Sequence, residues 1–309
     1  MKLLVIDGLH AEALTLLKSS GLFETIDEKT AVSGGDVVSL APGYDAVILR
    51  IATHVTAKAL EAGAGKLKFV GCASVGFDHV DLQAAQKYNV HIASAAGANA
   101  GSVADLALAF LLNFARKLPE CRDNLAQAKW DRKSLDGFAL SEKVLGILGM
   151  GSIGQAFSKR ASACDMKVFG YDPLYAPGTK IPGVENMLSS KAELLKICDV
   201  LSVHVPREPS TMNIIDVNEL KELKPGSYLI NTARGGLVNE AAVRTALDHG
   251  TLAGYAADVF EQEPLPKDHW IRTHAKVVAA PHMAGSTTEA RRAVSEKIVN
   301  LLLEFFKAG

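Results

Sequence analysis

The sequence predicts an α/β protein of two doubly wound parallel-sheet domains with a cleft between them, and three observations lead there. Short runs rich in Val and Ile alternate with helical patterns in two successive series. A Gly- and Ala-rich stretch at 97–101 divides the two series, and a long amphipathic helix follows it. A glycine triplet stands between a strand and a helix early in the second series.

Taken in order, segments 3–7, 46–50, 69–73 and 91–93 read as buried parallel strands of the first series. The helix over 102–118 is expected to join the domains. Segments 144–148, 168–171, 200–205, 228–232, 254–259 and 277–280 form the second series. A loop at 281–285 and a helix over 287–306 close the chain, and that helix is expected to return to the first domain. The domains so drawn are residues 1–98 with 285–309, and residues 99–284.

With 309 residues, 48% of them hydrophobic, the chain can fill two ordinary cores. Its 33 basic and 34 acidic residues nearly cancel and form no long block of one sign, which argues against nucleic acid and anionic membrane as partners. Cys72, Cys121, Cys164 and Cys198 are widely spaced, with no C-x-x-C, and read as reduced packing residues of a cytoplasmic protein. The apolar run at 3–6 stops at Asp7, far short of a secretory signal. Segment 103–115 holds Asp105 and Asn113 and is too short to cross a bilayer. His10, His54, His79, His91, His249, His269 and His274 show no metal-ligand spacing, so no metal is expected.

In the segment Gly149-Met-Gly151-Ser152-Ile153-Gly154, G-x-G-x-x-G directly follows an apolar strand and opens a helix. The first glycine permits a tight turn, the second lets backbone approach a pyrophosphate, and the third allows close packing. The helix N-terminus offers the N–H groups of Ser152 and Ile153 and a positive dipole to phosphates. The next strand ends on Asp172, near the ~20-residue spacing at which a carboxylate binds the adenosine ribose hydroxyls. A carboxylate there repels a 2′-phosphate, and Pro173-Leu174 supplies no cation, so NAD is expected over NADP in a Rossmann domain.

Arg234, Asp258 and His282 stand at strand ends of the second series, where open α/β sheets bind ligands. Glu263 follows in a loop that could reach His282. Through Asn231-Thr-Ala-Arg234-Gly-Gly-Leu-Val, Asp258-Val-Phe-Glu-Gln-Glu263-Pro and Pro281-His282, in this order behind the glycine loop, the chain resembles the D-2-hydroxyacid dehydrogenase family over nearly its whole length.

The resemblance implies a flavodoxin-like substrate domain ahead of the Rossmann domain, a small 2-hydroxy or 2-keto acid as substrate, and a homodimer. The helix over 102–118 and segment 121–130 are the expected dimer interface. It implies that His282 is the general base, oriented by Glu263, and that Arg234 holds the substrate carboxylate. Imidazole titrates near ~6.5 and suits proton exchange with a hydroxyl. A carboxylate on its other nitrogen fixes the tautomer and raises its pKa. A guanidinium offers a planar, permanently charged fork. Asp258 is implied near the nicotinamide, and His204, Pro206, Thr232 and Ala233 along the nucleotide. The Ser74-Val75-Gly76 loop is implied to turn N–H groups to the substrate carboxylate.

Within the family, Arg50-Ile-Ala-Thr-His-Val-Thr56, Lys129-Trp-Asp-Arg132-Lys133 and Ala284-Gly-Ser-Thr-Thr-Glu-Ala290 resemble the D-3-phosphoglycerate dehydrogenases of serine synthesis, in a short form without a C-terminal effector domain. Arg50 and Arg132 are the expected phosphate ligands. Cys72 departs from that pattern, since phosphoglycerate enzymes place Arg in this loop. The alternatives are a glyoxylate or hydroxypyruvate reductase, a broad 2-keto acid reductase, or an NAD-sensing module like the co-repressor relatives.

Overall fold

A computed structural model describes residues 1–30, 37–50 and 52–308. Ile51, inside the phosphoglycerate-like segment, and Gly309, the last residue of the returning segment, lie outside the described residues. The chain divides into two compact units, Met1–Asn99 with Ser286–Gly309, and Ala100–Gly285.

The first unit contains β1 (Lys2–Ile6), α1 (Ala11–Ser19), β2 (Thr25–Lys29), β3 (Ala46–Leu49), α2 (Ala57–Ala62), β4 (Phe69–Cys72), α3 (Leu82–Lys87) and β5 (His91–Ser94). Its described residues make a five-stranded sheet in the order β2-β1-β3-β4-β5, parallel throughout. β1, β3 and β4 are almost wholly apolar because both of their faces are covered. Alternate residues point to opposite layers. Leu4, Val47 and Val70 pack with α2 and α3, whereas Leu3, Ile48 and Phe69 pack with α1 and a helix from the chain's far end.

The second unit contains α4 (Ala100–Arg116), α5 (Leu118–Ala126), β6 (Val144–Leu148), α6 (Ser152–Ala163), β7 (Lys167–Tyr171), β8 (Asn186–Met187), α7 (Lys191–Ile197), β9 (Val200–Val203), α8 (Val217–Glu222), β10 (Ser227–Asn231), α9 (Glu240–Asp248), β11 (Leu252–Ala257) and β12 (Val277–Ala279). Its seven described strands run parallel in the order β12-β11-β10-β9-β6-β7-β8. The order reverses next to β6, which puts the glycine loop after β6 at the switch point beside the C-terminal end of β9. The chain then returns to the first unit as α10 (Thr288–Ala308), where Ile298 lies so close to β4 that a Cβ on Gly71 would stand 2.9 Å from it.

Two strands escaped sequence reading. β2 (Thr-Ile-Asp-Glu-Lys) and β8 are edge strands, one charged and one only two residues long, and neither carries a buried apolar run. Strands expected to reach Val205 and Val259 stop at Val203 and Ala257, although His204 N–H still donates to Leu148 O at 2.7 Å and Asp258 N–H to Asn231 O at 3.0 Å. The chain leaves the ladder there to form the ligand-side loops. No helix among the described residues is long and apolar enough to cross a membrane.

Ile298 is fully buried between α10 and the first sheet. Ile298→Ala is expected to cost about 2–5 kcal/mol, read as a lowered urea midpoint with an unchanged slope.

Candidate active site

The glycine loop is built by backbone contact. Gly149 has φ +97°, and a Cβ there would stand 2.7 Å from the His204 carbonyl. A Cβ on Gly154 would collide with the Gly149 carbonyl oxygen, so the third glycine lets the helix pack on the loop itself. Gly151 is the opposite case, since a Cβ there would meet nothing within 4 Å. It is the N-cap of α6 and offers no side-chain cap, which leaves the first-turn N–H groups at Ser152 and Ile153 to a ligand. An open, uncapped helix start of this kind fits a dinucleotide pyrophosphate.

Asp172 directly follows β7 and has a structural task that sequence reading missed. Its Oδ2 accepts the Met150 N–H at 2.8 Å and its Oδ1 the Leu174 N–H at 2.9 Å. The side chain stays partly exposed, and each oxygen keeps a lone pair for a ribose hydroxyl. His204 packs edge-on to Phe157, with its Nε2 2.9 Å from Ser202 Oγ. Burial pushes this imidazole down to about 4, so it is neutral near pH 7. Pro206 follows in the exposed loop after β9. Thr232 is buried, and its hydroxyl has no hydrogen-bond partner among the described residues.

At the C-terminal ends of β10, β11 and β12, four charged side chains gather. His282 Nδ1 and Glu263 Oε2 are 2.6 Å apart, with side chains 35% and 33% exposed. Glu263 Oε1 accepts the Phe260 N–H at 2.9 Å. The hydrogen bond to Glu263 raises the His282 pKa above its ordinary value; burial opposes it, the charges of Glu263 and Asp258 add to it, and Arg234 works against it. Burial by itself would raise Glu263, but its hydrogen bonds from His282 and Phe260 and the charges of His282 and Arg234 outweigh that and leave it lowered. An ionised carboxylate only accepts, so Nδ1 carries the proton and Nε2 is left to take or give one.

Asp258, 1% exposed, grips the His282 loop. Its Oδ1 accepts the Met283 N–H and its Oδ2 the Ala284 N–H, each at 2.8 Å, while the His282 N–H donates to its carbonyl at 2.8 Å. Burial raises the Asp258 carboxyl in spite of those two bonds. Arg234 is held by Asn231, whose Nδ2 donates to the Arg234 carbonyl at 3.0 Å and whose Oδ1 accepts the Ala233 N–H at 3.1 Å. Arg234 Nη1 in turn donates to the Ala233 carbonyl at 2.7 Å. Gly235 lies flat against the Phe260 carbonyl, where any Cβ would collide, which ties the Arg234 loop to the Glu263 loop. Asn231 and Gly235 stood in the quoted motif, but only the fold shows what they hold.

In the first unit, Arg50 leaves β3 and the Ser74-Val75-Gly76 loop leaves the adjacent β4, whose last residues Leu49 and Cys72 are in register. Ser74 Oγ donates to the Gly76 carbonyl at 3.1 Å, and Ser74 O accepts the Ala95 N–H at 3.0 Å, which fixes the loop to the residue after β5. Cys72 is fully buried, and burial pushes its thiol up to about 12, so it packs rather than binds. Arg132 lies on an exposed stretch of the second unit between α5 and a 3-10 turn at Lys133–Leu135, away from any strand end in sequence.

A Rossmann unit with an open phosphate loop and a carboxylate-oriented histidine beside an arginine is an arrangement suited to dinucleotide-dependent hydride transfer. The sequence model of the D-isomer specific 2-hydroxyacid dehydrogenase NAD-binding domain matches residues 108–284. The chain belongs to this family, and its second unit carries the family's NAD-binding domain. It is 37% identical, over 98% of its length, to the D-3-phosphoglycerate dehydrogenase of Methanocaldococcus jannaschii and 35% identical, over 97%, to that of Archaeoglobus fulgidus. It spans 57% of the length of each of these relatives. Among solved structures, the TT0316 protein of Thermus thermophilus superposes with a TM-score of 0.88 at 32% identity, covering 100% of this chain and 97% of that one.

Asp172→Ser removes a charge and at least one anchor of the loop. The variant is expected to show a raised KM for NAD and a gain in relative NADP use, measured by steady-state kinetics with both nucleotides. With a keto acid and NADH, kcat/KM should fall as pH rises through a His282 pKa above the ordinary ~6.5, because reduction needs the protonated ring. In Glu263→Gln the raising hydrogen bond to a charged partner is gone, so this limb should move to lower pH.

Proposed function

We propose that the protein catalyses the reversible NAD-dependent oxidation of a D-2-hydroxy acid, with 3-phosphoglycerate and 3-phosphohydroxypyruvate as its substrate pair. The 2.6 Å bond between Glu263 and His282 carries the reading, because it leaves Nε2 of a raised-pKa histidine to exchange the hydroxyl proton. The 149–154 loop would hold the NAD pyrophosphate and Asp172 its ribose, and NAD when bound would supply the acceptor for the C2 hydride. His204, Pro206, Thr232 and Ala233 would flank the nucleotide, and Asp258 would stand toward its nicotinamide.

Arg234 pairs with the substrate carboxylate and polarises the carbonyl oxygen as charge develops on it. Neutral His282 accepts the hydroxyl proton at Nε2 during oxidation, and Glu263 stabilises the resulting imidazolium. During reduction the same nitrogen returns the proton. The amides of Ser74, Val75 and Gly76 bind the substrate carboxylate, and Arg50 and Arg132 take the phosphate dianion. The phosphoglycerate assignment is supported by the two archaeal relatives.

Buried Cys72 favours one narrower alternative, a glyoxylate or hydroxypyruvate reductase, because the cation that phosphoglycerate enzymes place in this loop is replaced by a packed thiol. The protein is further read as a cytoplasmic homodimer. The four free cysteines support the compartment, and exposed Leu118, Leu125 and Trp130 on and after α5 support the interface.

A panel of 3-phosphoglycerate, glycerate and lactate with NAD tests chemistry and substrate together. Preference for the phosphorylated acid, lost in Arg50→Ala, is the expected result, whereas equal or better use of glycerate moves the assignment to the reductase. His282→Asn is expected to lower turnover by roughly 10²–10⁴ with NADH binding nearly unchanged. Wild-type turnover in that variant overturns the mechanism.

A further inference from the structure

Glu240 takes no part in the chemistry above, yet this acid is only 5% exposed, at the first position of α9. A buried carboxylate needs partners. Its Oε1 accepts the Glu261 N–H at 2.8 Å, and its own backbone N–H donates to Glu261 Oε1 at 3.0 Å. These reciprocal bonds lock the start of α9 to the loop that follows β11.

The other carboxylate oxygen is also held. Glu240 Oε2 is 3.3 Å from His269 Nε2. His269 Nδ1 accepts the Ile271 N–H at 3.5 Å as the cap of the 3-10 turn Trp270–Arg272. With Nδ1 accepting, the ring proton sits on Nε2, the nitrogen that faces Glu240. Burial raises the Glu240 pKa, the Glu261 N–H lowers it, the Glu261 charge raises it, His269 lowers it, and Glu263 raises it, with a net rise.

Glu261 N–H is one of three successive fixings of the same loop. The Phe260 carbonyl lies on Gly235, the Phe260 N–H donates to Glu263, and the Glu261 N–H donates to Glu240. Glu263 is two residues further on. A short charge-assisted bond such as the one it makes to His282 depends on placement to tenths of an ångström.

We propose that Glu240, seated by His269, is a positioning residue that holds the Glu261 N–H and thereby sets the Glu263 carboxylate on His282 Nδ1. The inference rests on the reading of Glu263 and His282 as the proton-handling pair. A carboxylate that only stabilised the start of α9 would alter unfolding, and an effect of its charge, which reaches Glu263, would be lost equally in glutamine and alanine variants.

The test uses the full chain with NADH and a 2-keto acid. Glu240→Gln keeps an oxygen for the Glu261 N–H, and Glu240→Ala does not. Glu240→Ala is expected to lower kcat about 10-fold with NADH affinity within about twofold, and to move the His282 limb of the pH profile downward. Glu240→Gln should recover most of both. In 15N-histidine-labelled protein, the far-downfield Nδ1–H resonance of His282 should shift upfield in the alanine variant, a readout that needs no turnover. A folded Glu240→Ala with wild-type pH limb and resonance overturns the proposal, as does a glutamine variant as impaired as alanine. If Glu240→Ala does not fold, His269→Ala must shift the same resonance, and an unchanged signal there overturns it. A Glu263→Gln variant separates the two claims: no effect of that change defeats the proton-handling pair, while an effect there with none at Glu240 defeats only the positioning role.

Discussion

A left-handed residue beside a strand end has to be held there, and in this protein one buried carboxylate does the holding. His282 has φ +50°, a conformation that costs a non-glycine residue about 1–3 kcal/mol. Asp258 accepts from the N–H groups of His282, Met283 and Ala284, the first on its carbonyl and the other two on its side chain. The loop therefore cannot relax without leaving a buried acid unpaired, which is the more expensive outcome. The imidazole is aimed by this clamp, and Glu263 then has a fixed target.

The same economy appears in the nucleotide loop. Gly149 and Gly154 bring backbone against backbone, and Asp172 fastens Met150 and Leu174 while keeping lone pairs for a sugar diol. One side chain thus fixes the shape of the loop and still has acceptor capacity to spare. Over Gly151, by contrast, the space is open.

Around Arg234 the order is again imposed by neighbours. Asn231 closes the turn from both its amide nitrogen and its oxygen, and Gly235 packs against the Phe260 carbonyl more closely than any side chain would allow. Three loops from three adjacent strands are in this way made into one rigid piece. In the first unit, the register of Leu49 with Cys72 sets Arg50 beside the Ser74 loop at the end of its own sheet.

The sequence by itself determined the fold class, the place of most strands, the nucleotide loop and the list of strand-end residues. These are local properties: buried parallel strands must be apolar on both faces, and a phosphate turn needs glycine at set intervals. Edge strands β2 and β8 were illegible because, with one side open, they need no apolar run. The tertiary structure alone decided that Glu263 reaches His282 at 2.6 Å, that Asp258 and Asp172 are anchors as well as candidate ligands, and that Glu240 and His269 stand behind the Glu261 loop. Those contacts join residues far apart in the chain or turn on backbone N–H groups that every residue but proline carries, so no pattern of side chains announces them.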